Sequence, residues 1–409
     1  MKLKKGIDYN VEALRGFCAV MVLTDHVIFF NNNMNGGEIN LEKMLFRPSG
    51  HLMVLVFFML SGYVIGLTYL HKPNFVVSDY IKKRLIRLYP IYIISIGITL
   101  LFFSDSAKVV LSNLFFCQNI FSNGLKDNVP LWSLNHEIIY YLLAIPILKF
   151  NLRLKYIFPI LFLLLAASVF KLAFPAIIEG YLVGSIFWLT GFAVSKLKLS
   201  LHKNEIQLPA VNQIVSLFFL LLSCDFLNTI GVVFSKIKFI HGTSFFSMDA
   251  MVNVYDFGLI LFCLYAILVA SSIRTKWVTY IVLLVYLSCW SHLLLLIANK
   301  SFFKVNFFYT PAVFLSLSTM LQFVKKPIVK SISVWSFLGS VSYAIYVIHM
   351  PVLRAMGKVQ VFSGTTFSFM IRFLVLLFMV LTIAYLLEKI IQPYIKQLFY
   401  KKRIAAVPV

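Results

Sequence analysis

Residues 14 to 26 read Leu14-Arg15-Gly16-Phe17-Cys18-Ala19-Val20-Met21-Val22-Leu23-Thr24-Asp25-His26, with a cation and an imidazole placed inside an apolar segment. An α-helix of about 20 mostly apolar residues crosses the hydrocarbon core of a bilayer, and this segment is long enough. Eleven residues make about three helical turns, so Arg15 and His26 project from one face about 16 Å apart. Ionisable side chains in a membrane span usually face a bundle interior or a cavity, so this pair indicates a functional site. The alternative is that Arg15 extends to cytosolic headgroups and His26 lies at the outer interface.

The composition of the whole chain agrees with a membrane location. Of 409 residues, 60% are hydrophobic and only 13% are charged, and the mean hydropathy is +0.89. These values exclude an ordinary soluble protein and predict a polytopic membrane protein. The net charge of +22 comes from lysines and arginines in short loops, so the expected partner is an anionic lipid surface or a cytosolic phosphate, and not nucleic acid. The five cysteines include no CxxC pair, which predicts neither a disulfide framework nor a metal site.

The apolar segments predict an all-α, polytopic membrane helix bundle of about 10 to 12 transmembrane helices. Twelve segments are placed at 11–30, 51–70, 88–104, 131–149, 154–173, 180–196, 210–231, 255–272, 277–297, 305–324, 335–353 and 367–388. Alternate connections between them carry more than twice as many lysines and arginines as the others. Because positive charge is retained on the cytoplasmic side, both termini are predicted to be cytoplasmic. The predicted organisation is a cytoplasmic N-terminus (1–10), a transmembrane domain (11–388) and a basic cytoplasmic tail (389–409).

The stretch Trp132-Ser133-Leu134-Asn135-His136-Glu137 opens the fourth predicted span. Glu137 lies in an otherwise uncharged helix, where a carboxylate needs a partner or a water-filled cavity. An imidazole such as that of His26 is a suitable partner. The alternative is an interfacial helix cap in which Trp132 belongs to the aromatic belt at the membrane surface.

Three further stretches combine polar residues with membrane segments. In 57–63, Ser61 and Gly62 permit close approach of two helices. The stretch 79–90 is a basic amphipathic turn, interpreted either as a lipid-surface helix or as a docking site for cytosolic phosphates, which arginine binds in a bidentate manner. In 342–351, His349 lies at the outer end of the eleventh span, where an interfacial histidine is the alternative to a functional one.

Taken in chain order, these motifs resemble those of the acyltransferase-3 family of integral membrane O-acyltransferases, from about residue 9 to residue 393. The matching residues are Glu12, Leu14, Arg15, Gly16 and His26; Phe57, Phe58, Ser61 and Gly62; Arg84, Arg87 and Pro90; Trp132, Ser133, Leu134 and Glu137; and Ser342, Tyr343, Tyr346, His349 and Pro351. The chain is most similar to stand-alone members of the polysaccharide or O-antigen O-acetylase type, which lack an esterase-like C-terminal domain.

The resemblance implies transfer of an acyl group, usually acetyl from acetyl-CoA, to a hydroxyl of a surface or lipid-linked carbohydrate, with no metal. The expected location is the bacterial inner membrane. His26 is expected to act as general base or as a transient acyl carrier, with Glu137 orienting its imidazole. Cytosolic acyl-CoA is assigned to Arg15, Arg84 and Arg87. Substrate contact or structural support is assigned to Glu12, Ser61, Trp132, Ser133, Tyr343 and His349.

Two alternative functions fit the same composition. A transporter or flippase of lipid-linked glycans is also polytopic with charges inside the membrane, although many transporters have repeated halves and none is evident here. A structural subunit of a glycan assembly complex is the third hypothesis, and it predicts that the charged positions tolerate apolar replacement.

Overall fold

The computed structural model of the chain describes residues 8–36, 46–70, 72, 74–169, 176–202, 205–206, 211–236, 251–324 and 333–404. Several predicted regions lie in part outside the described residues. They are residues 1–7 of the predicted cytoplasmic N-terminus, much of the connections 31–50 and 232–254, and the end of the basic tail.

The described chain is helical and contains no β-strand. Its first helices are α1 (Tyr9–Phe29), α2 (Asn31–Asn35), α3 (Gly50–Tyr69), α4 (Val77–Phe102), α5 (Ala107–Leu114), α6 (Trp132–Lys149), α7 (Leu154–Val169) and α8 (Ala176–Ser200). The remaining helices are α9 (Val211–Cys224), α10 (Thr229–Ser235), α11 (Ile260–Ala270), α12 (Lys276–Ala298), α13 (Tyr309–Phe323), α14 (Ser333–Gly339), α15 (Ser342–Gly357), α16 (Thr366–Tyr385) and α17 (Gln392–Ile404).

The prediction of an all-α, polytopic membrane bundle is confirmed. Each predicted segment overlaps a helix, and within the described ranges seven helices are long and apolar enough to cross a membrane. The predicted boundaries differ in three places. Helix α4 begins at Val77 and not near residue 88, because the basic amphipathic stretch continues the span as helix. The segment 210–231 is divided into α9 and α10, and the segment 335–353 into α14 and α15.

Glycine permits the close packing of α1 against the short helix α14. A Cβ atom at Gly16 would lie 2.2 Å from the carbonyl oxygen of Trp335, and one at Gly339 would lie 1.9 Å from that of Glu12. Each helix therefore presents a glycine to the backbone of the other, and no larger residue fits without moving the helices apart. Gly16, next to Arg15 in the sequence, sets the position of α1 in the bundle.

Helices α3 and α8 interlock in the same way. A Cβ at Gly62 would lie 1.9 Å from the carbonyl oxygen of Trp188, and one at Gly191 would lie 1.8 Å from that of Met59. The prediction that Gly62 permits close helix approach is confirmed. This contact fixes the direction in which the neighbouring Ser61 projects.

Helix α15 runs through the interior of the bundle. Every residue from Ser342 to Leu353 is buried, so this part of the helix is covered on all sides, as expected for a central helix. It packs against α1, α4 and α16. Polar side chains on α15 are therefore forced to find partners on neighbouring helices, and they do so at the candidate site.

Candidate active site

A cavity of about 510 Å³ opens among α1, α3, α4, α6 and α15. Its walls are mainly apolar side chains of α3 and α4, and its polar lining falls into two groups. The cations are Arg15, Lys83, Arg84, Arg87 and Lys396, and the other polar residues are Ser61, Ser133, Glu137, Tyr141, Ser342, Tyr343 and Tyr346. The charge distribution of the sequence predicts that these cations lie on the cytoplasmic side.

Two of the cations are held by carboxylates. Arg15 Nη1 lies 3.0 Å from Glu12 Oε1, one turn earlier on α1. Arg87 Nη1 lies 2.5 Å from Glu388 Oε2, and the Glu388 side chain is only 2% exposed. Glu388 belongs to a π-helical segment, Leu386–Ile391, between α16 and α17; such π segments are frequent at functional sites. Tyr343 completes this corner, because its ring lies under Arg87 and its hydroxyl donates to the Leu88 carbonyl at 2.9 Å.

Arg84 is positioned by aromatic rings and not by a carboxylate. Its guanidinium carbon lies 5.6, 5.9 and 5.7 Å from the ring centroids of Tyr69, Tyr80 and Tyr141. In the described part of the chain its Nε is buried without a hydrogen-bond partner. The aromatic faces hold the cation, Nη2 donates to the Tyr69 hydroxyl at 3.5 Å, and Arg84 lines the cavity.

Glu137 lies deeper in the cavity, where neighbouring hydroxyls fix its carboxylate. Ser61 donates to Glu137 Oε1 at 3.2 Å, and Tyr141, one turn along α6, donates a short hydrogen bond to the same oxygen. The indole N–H of Trp188 donates to Ser61 Oγ at 3.4 Å. Glu137 lines the cavity, and Tyr141 links it to Arg84, whose guanidinium carbon lies 5.7 Å from the Tyr141 ring centroid.

Two hydroxyls that line the cavity form a hydrogen-bonded pair. The hydroxyls of Ser133 and Tyr346 lie 2.7 Å apart, and both also bond to the Pro130 carbonyl, at 3.2 and 3.1 Å. Trp132 lies at the start of α6, and its indole packs edge-on against Phe58, which lines the cavity. Tyr346 connects the cavity to the next group, since its ring centroid lies 6.0 Å from that of His349.

His26 and His349 form a direct pair between α1 and α15. His26 Nδ1 lies 2.8 Å from His349 Nε2, and the two ring planes are only 8° apart. His349 Nδ1 lies 3.2 Å from the Ile345 carbonyl oxygen in the preceding turn. The His349 side chain is fully buried, so the pair is sheltered by the bundle.

Beyond the histidine pair, the C-terminal end of α1 and the N-terminal end of α3 carry further polar groups. Arg47 donates a short hydrogen bond to Asp25 Oδ1, and its guanidinium lies 4.5 Å from the Phe29 ring centroid. His51 Nε2 lies 2.7 Å from Asp256 Oδ1. Charged and aromatic groups therefore lie near His26 on the side away from the cavity.

The structure brings most of the predicted site residues together. The same cavity is lined by Arg15, Arg84, Arg87, Ser61, Ser133, Glu137 and Tyr343. Glu12 is the ion-pair partner of Arg15, and Trp132 packs behind the cavity wall. The expected contact between Glu137 and His26 is not among the hydrogen bonds of either side chain: Glu137 accepts from Ser61 and Tyr141, and His26 pairs with His349. The hydrogen-bond partner of His26 in the structure is His349.

Glu388 and Tyr346 are the main site residues to which the sequence analysis gave no role. Glu388 stands in the run Tyr385-Leu386-Leu387-Glu388, where a carboxylate directly follows apolar residues at the end of a predicted span. The rule applied to Glu137, that an acid in a membrane helix needs a partner, would have identified it. Tyr346 occurs in the last motif, but no signal in the sequence distinguished it from the neighbouring tyrosine.

Comparison with known families gives one finding. The family model described as an acyltransferase domain matches residues 8–389, nearly the whole chain. Comparison with curated proteins and with solved structures gives no match.

Proposed function

Because the chain belongs to the acyltransferase-3 family, we propose that this membrane acyltransferase moves an acyl group from cytosolic acyl-CoA to a hydroxyl of a surface or lipid-linked carbohydrate. One observation carries the proposal: a cavity of about 510 Å³ leads from five cations to Tyr346, which packs against His349, the partner of His26. Acetyl is the proposed acyl group, and the bacterial inner membrane the proposed location, as the family resemblance implies.

The mouth of the cavity is suited to the phosphates of coenzyme A. Carboxylates neutralise Arg15 and Arg87 in part, whereas Arg84 is held by aromatic rings with a buried N–H left unpaired. Guanidinium groups bind phosphate oxygens by paired hydrogen bonds. Such bonds are stronger in a site partly shielded from water than at an open surface.

The cavity then suits the pantetheine arm. Its volume is in the range of about 300 to 1,000 Å³ that is usual for small-molecule sites, which are mostly apolar with a few placed polar groups. Arg15 and His26 are about 16 Å apart along α1, a separation comparable to an extended pantetheine arm. The nucleotide would remain at the cytosolic mouth while the thioester reaches the histidine pair.

Glu137 receives a different role from the one expected of it. A carboxylate accepts hydrogen bonds, and the pantetheine arm carries two amide N–H groups and a hydroxyl. Ser61 and Tyr141 occupy Oε1 of Glu137, so Oε2 is proposed to accept one of these donors. Glu137 would then hold the donor in the cavity and not orient His26.

In the proposed reaction, His26 removes the proton from the acceptor hydroxyl as its oxygen attacks the thioester carbonyl carbon. The new C–O bond forms, the C–S bond breaks, and the imidazolium returns the proton to the departing sulfur, giving the ester and free coenzyme A. The acceptor approaches from the outer ends of α1 and α3, where Arg47, Asp25 and the exposed ring of Phe29 lie.

The decisive experiment uses the purified protein in lipid nanodiscs with radiolabelled acetyl-CoA and glycan prepared from a strain that lacks the protein. We expect label to appear in the glycan with the wild-type protein and not with His26→Gln. Mass spectrometry of the glycan from the same strain should show the loss of one acetyl-sized increment. Unchanged glycan mass together with no transfer of label would overturn the proposal.

A further inference from the structure

We propose that His349 is a positioning residue that fixes the tautomer of His26 and so makes Nε2 of His26 the basic atom. The inference rests on the proposed function of His26 as general base. It assigns a chemical role to a residue that the sequence allowed only as substrate contact or structural support.

The contacts of His349 determine which of its ring nitrogens carries hydrogen. Its Nδ1 lies 3.2 Å from the carbonyl oxygen of Ile345, and a carbonyl oxygen only accepts hydrogen bonds. Nδ1 of His349 therefore carries hydrogen and donates it. A neutral imidazole has one N–H and one lone pair, so Nε2 of His349 is an acceptor.

The acceptor nitrogen of His349 in turn determines which nitrogen of His26 carries hydrogen. Nδ1 of His26 lies 2.8 Å from that acceptor nitrogen, so it carries hydrogen and donates to His349. The remaining nitrogen of the neutral His26 ring, Nε2, is left with the lone pair. The backbone of α15 thus determines which nitrogen of a side chain on α1 is basic.

The ring geometry supports a well-formed hydrogen bond. The planes differ by 8° and the centroids are 5.0 Å apart, which is close to the N–N distance plus two imidazole radii. The two rings therefore meet edge to edge in nearly one plane, as an N–H directed at an in-plane lone pair requires. A stack of rings face on face would place the centroids closer together and would not form this bond.

The position of His349 holds the arrangement. It is fully buried on a helix whose neighbouring residues are also buried, so the ring has no space to rotate away from Ile345 and His26. When His26 takes up the substrate proton, its Nδ1–H continues to donate to the neutral His349 ring. His349 thus orients the base as the aspartate of a serine protease orients its histidine, without adding a buried negative charge.

The test compares substitutions of His349 in the acetyl-transfer assay. His349→Leu removes the acceptor, and we expect a fall in kcat of about 100-fold or more, because general-base catalysis of this kind contributes about 10²- to 10⁴-fold. The Michaelis constant for acetyl-CoA should change little. His349→Gln keeps an acceptor oxygen and should recover kcat to within about tenfold of the wild type.

A matched control is provided by His136 on α6. It is also buried, and its Nδ1 also bonds to a carbonyl one turn earlier, Trp132, at 3.2 Å. It does not bond to His26. His136→Gln should therefore retain wild-type kcat, which separates the loss of a buried imidazole from the loss of this particular contact.

Nitrogen-15 NMR of histidine-labelled protein in lipid reads the tautomer directly, with the His26 signals assigned by their absence in His26→Gln. We expect His26 to be protonated at Nδ1 in the wild type and to lose this preference in His349→Leu. An unchanged tautomer, or equal kcat in His349→Leu and the wild type, would overturn the inference. If His26→Gln itself retains full activity, the proposed function fails instead, so the two failures are distinguishable.

Discussion

Arg87 and Glu388 form an ion pair between α4 and the π-helical segment that precedes α17, although they are 301 residues apart in the chain. The carboxylate is almost completely buried, whereas the guanidinium is 28% exposed and lines the cavity. The pair thus has two roles: Glu388 holds the end of α16 against α4, and Arg87 places a positive charge at the cavity wall. Substitutions separate these roles.

Arg87→Met leaves Glu388 buried without its partner and should lower the free energy of unfolding by about 2 to 3 kcal/mol. This is less than the usual cost of breaking a buried ion pair, because Arg87 is partly exposed to solvent. The substitution should also raise the Michaelis constant for acyl-CoA. The double variant Arg87→Met/Glu388→Leu should regain most of the stability but not the donor binding. Thermal unfolding in detergent and steady-state kinetics measure the two quantities, and recovery of both together would show that Arg87 has no part in binding the donor.

Arg84→Gln should raise the Michaelis constant for acyl-CoA about tenfold or more and leave that for the acceptor unchanged, because charge-assisted bonds to phosphate contribute about 1.5 to 3 kcal/mol each. Lys155→Gln is the matched control, since Lys155 also lies over an aromatic ring, Tyr156, but not in the cavity. An equal effect of the two variants would indicate general attraction of the anionic donor and not a binding site.

His26→Gln should reduce kcat by about 10²- to 10⁴-fold, the usual contribution of a general base, while binding of acyl-CoA measured by calorimetry stays the same. The control is His202→Gln, at an exposed position. Full transfer activity in purified His26→Gln would exclude His26 as either base or acyl carrier.

Two substitutions of Glu137 distinguish between two roles for its carboxylate in the cavity. If it accepts a hydrogen bond from the donor arm, Glu137→Gln, which keeps an acceptor oxygen, should retain kcat within about tenfold, and Glu137→Leu should mainly raise the Michaelis constant for acyl-CoA. If instead the charge of Glu137 acts on His26, both variants should lose kcat to a similar extent. Steady-state kinetics with acetyl-CoA as the varied substrate decides between them.

Gly62→Ala tests the packing that positions Ser61. The added methyl group would lie 1.9 Å from the backbone oxygen of Trp188, so α3 and α8 must separate, at a cost of about 1 to 3 kcal/mol. Gly97→Ala on α4 is the control, because nothing lies within 4 Å of its Cβ position, and it should be neutral or stabilising by up to about 1 kcal/mol. Equal melting temperatures for the two variants would contradict the close contact of α3 and α8.

Much of the architecture follows from local features of the sequence. Runs of apolar residues long enough for a bilayer predicted the helices, and each of them overlaps a helix in the structure. The boundaries were less accurate where a helix continues beyond its apolar part, as at Val77, or where a predicted span is divided, as between α14 and α15. The length of an apolar run is set by the thickness of the bilayer core. The length of a helix is set by its backbone hydrogen bonds, which can continue beyond the apolar run or stop within it.

The candidate site was predictable in part. Ionisable residues in apolar surroundings identified Arg15, His26 and Glu137, because burial of such groups needs compensation. Chemical type alone does not show which distant residue is the partner of each. The sequence analysis paired His26 with Glu137 by chemical type, whereas the structure places His349 within hydrogen-bond distance of His26.

By itself, the sequence determined that this chain is a helical membrane protein, which faces of its helices carry polar groups, and which family its motifs resemble. Tertiary structure alone decided that His26 meets His349 and that Arg87 meets Glu388, pairs separated by 323 and 301 residues. The physical reason is that helical periodicity fixes the face on which a side chain lies. Which helix covers that face depends on packing, here set by close approaches such as Gly16 against α14 and Gly62 against α8.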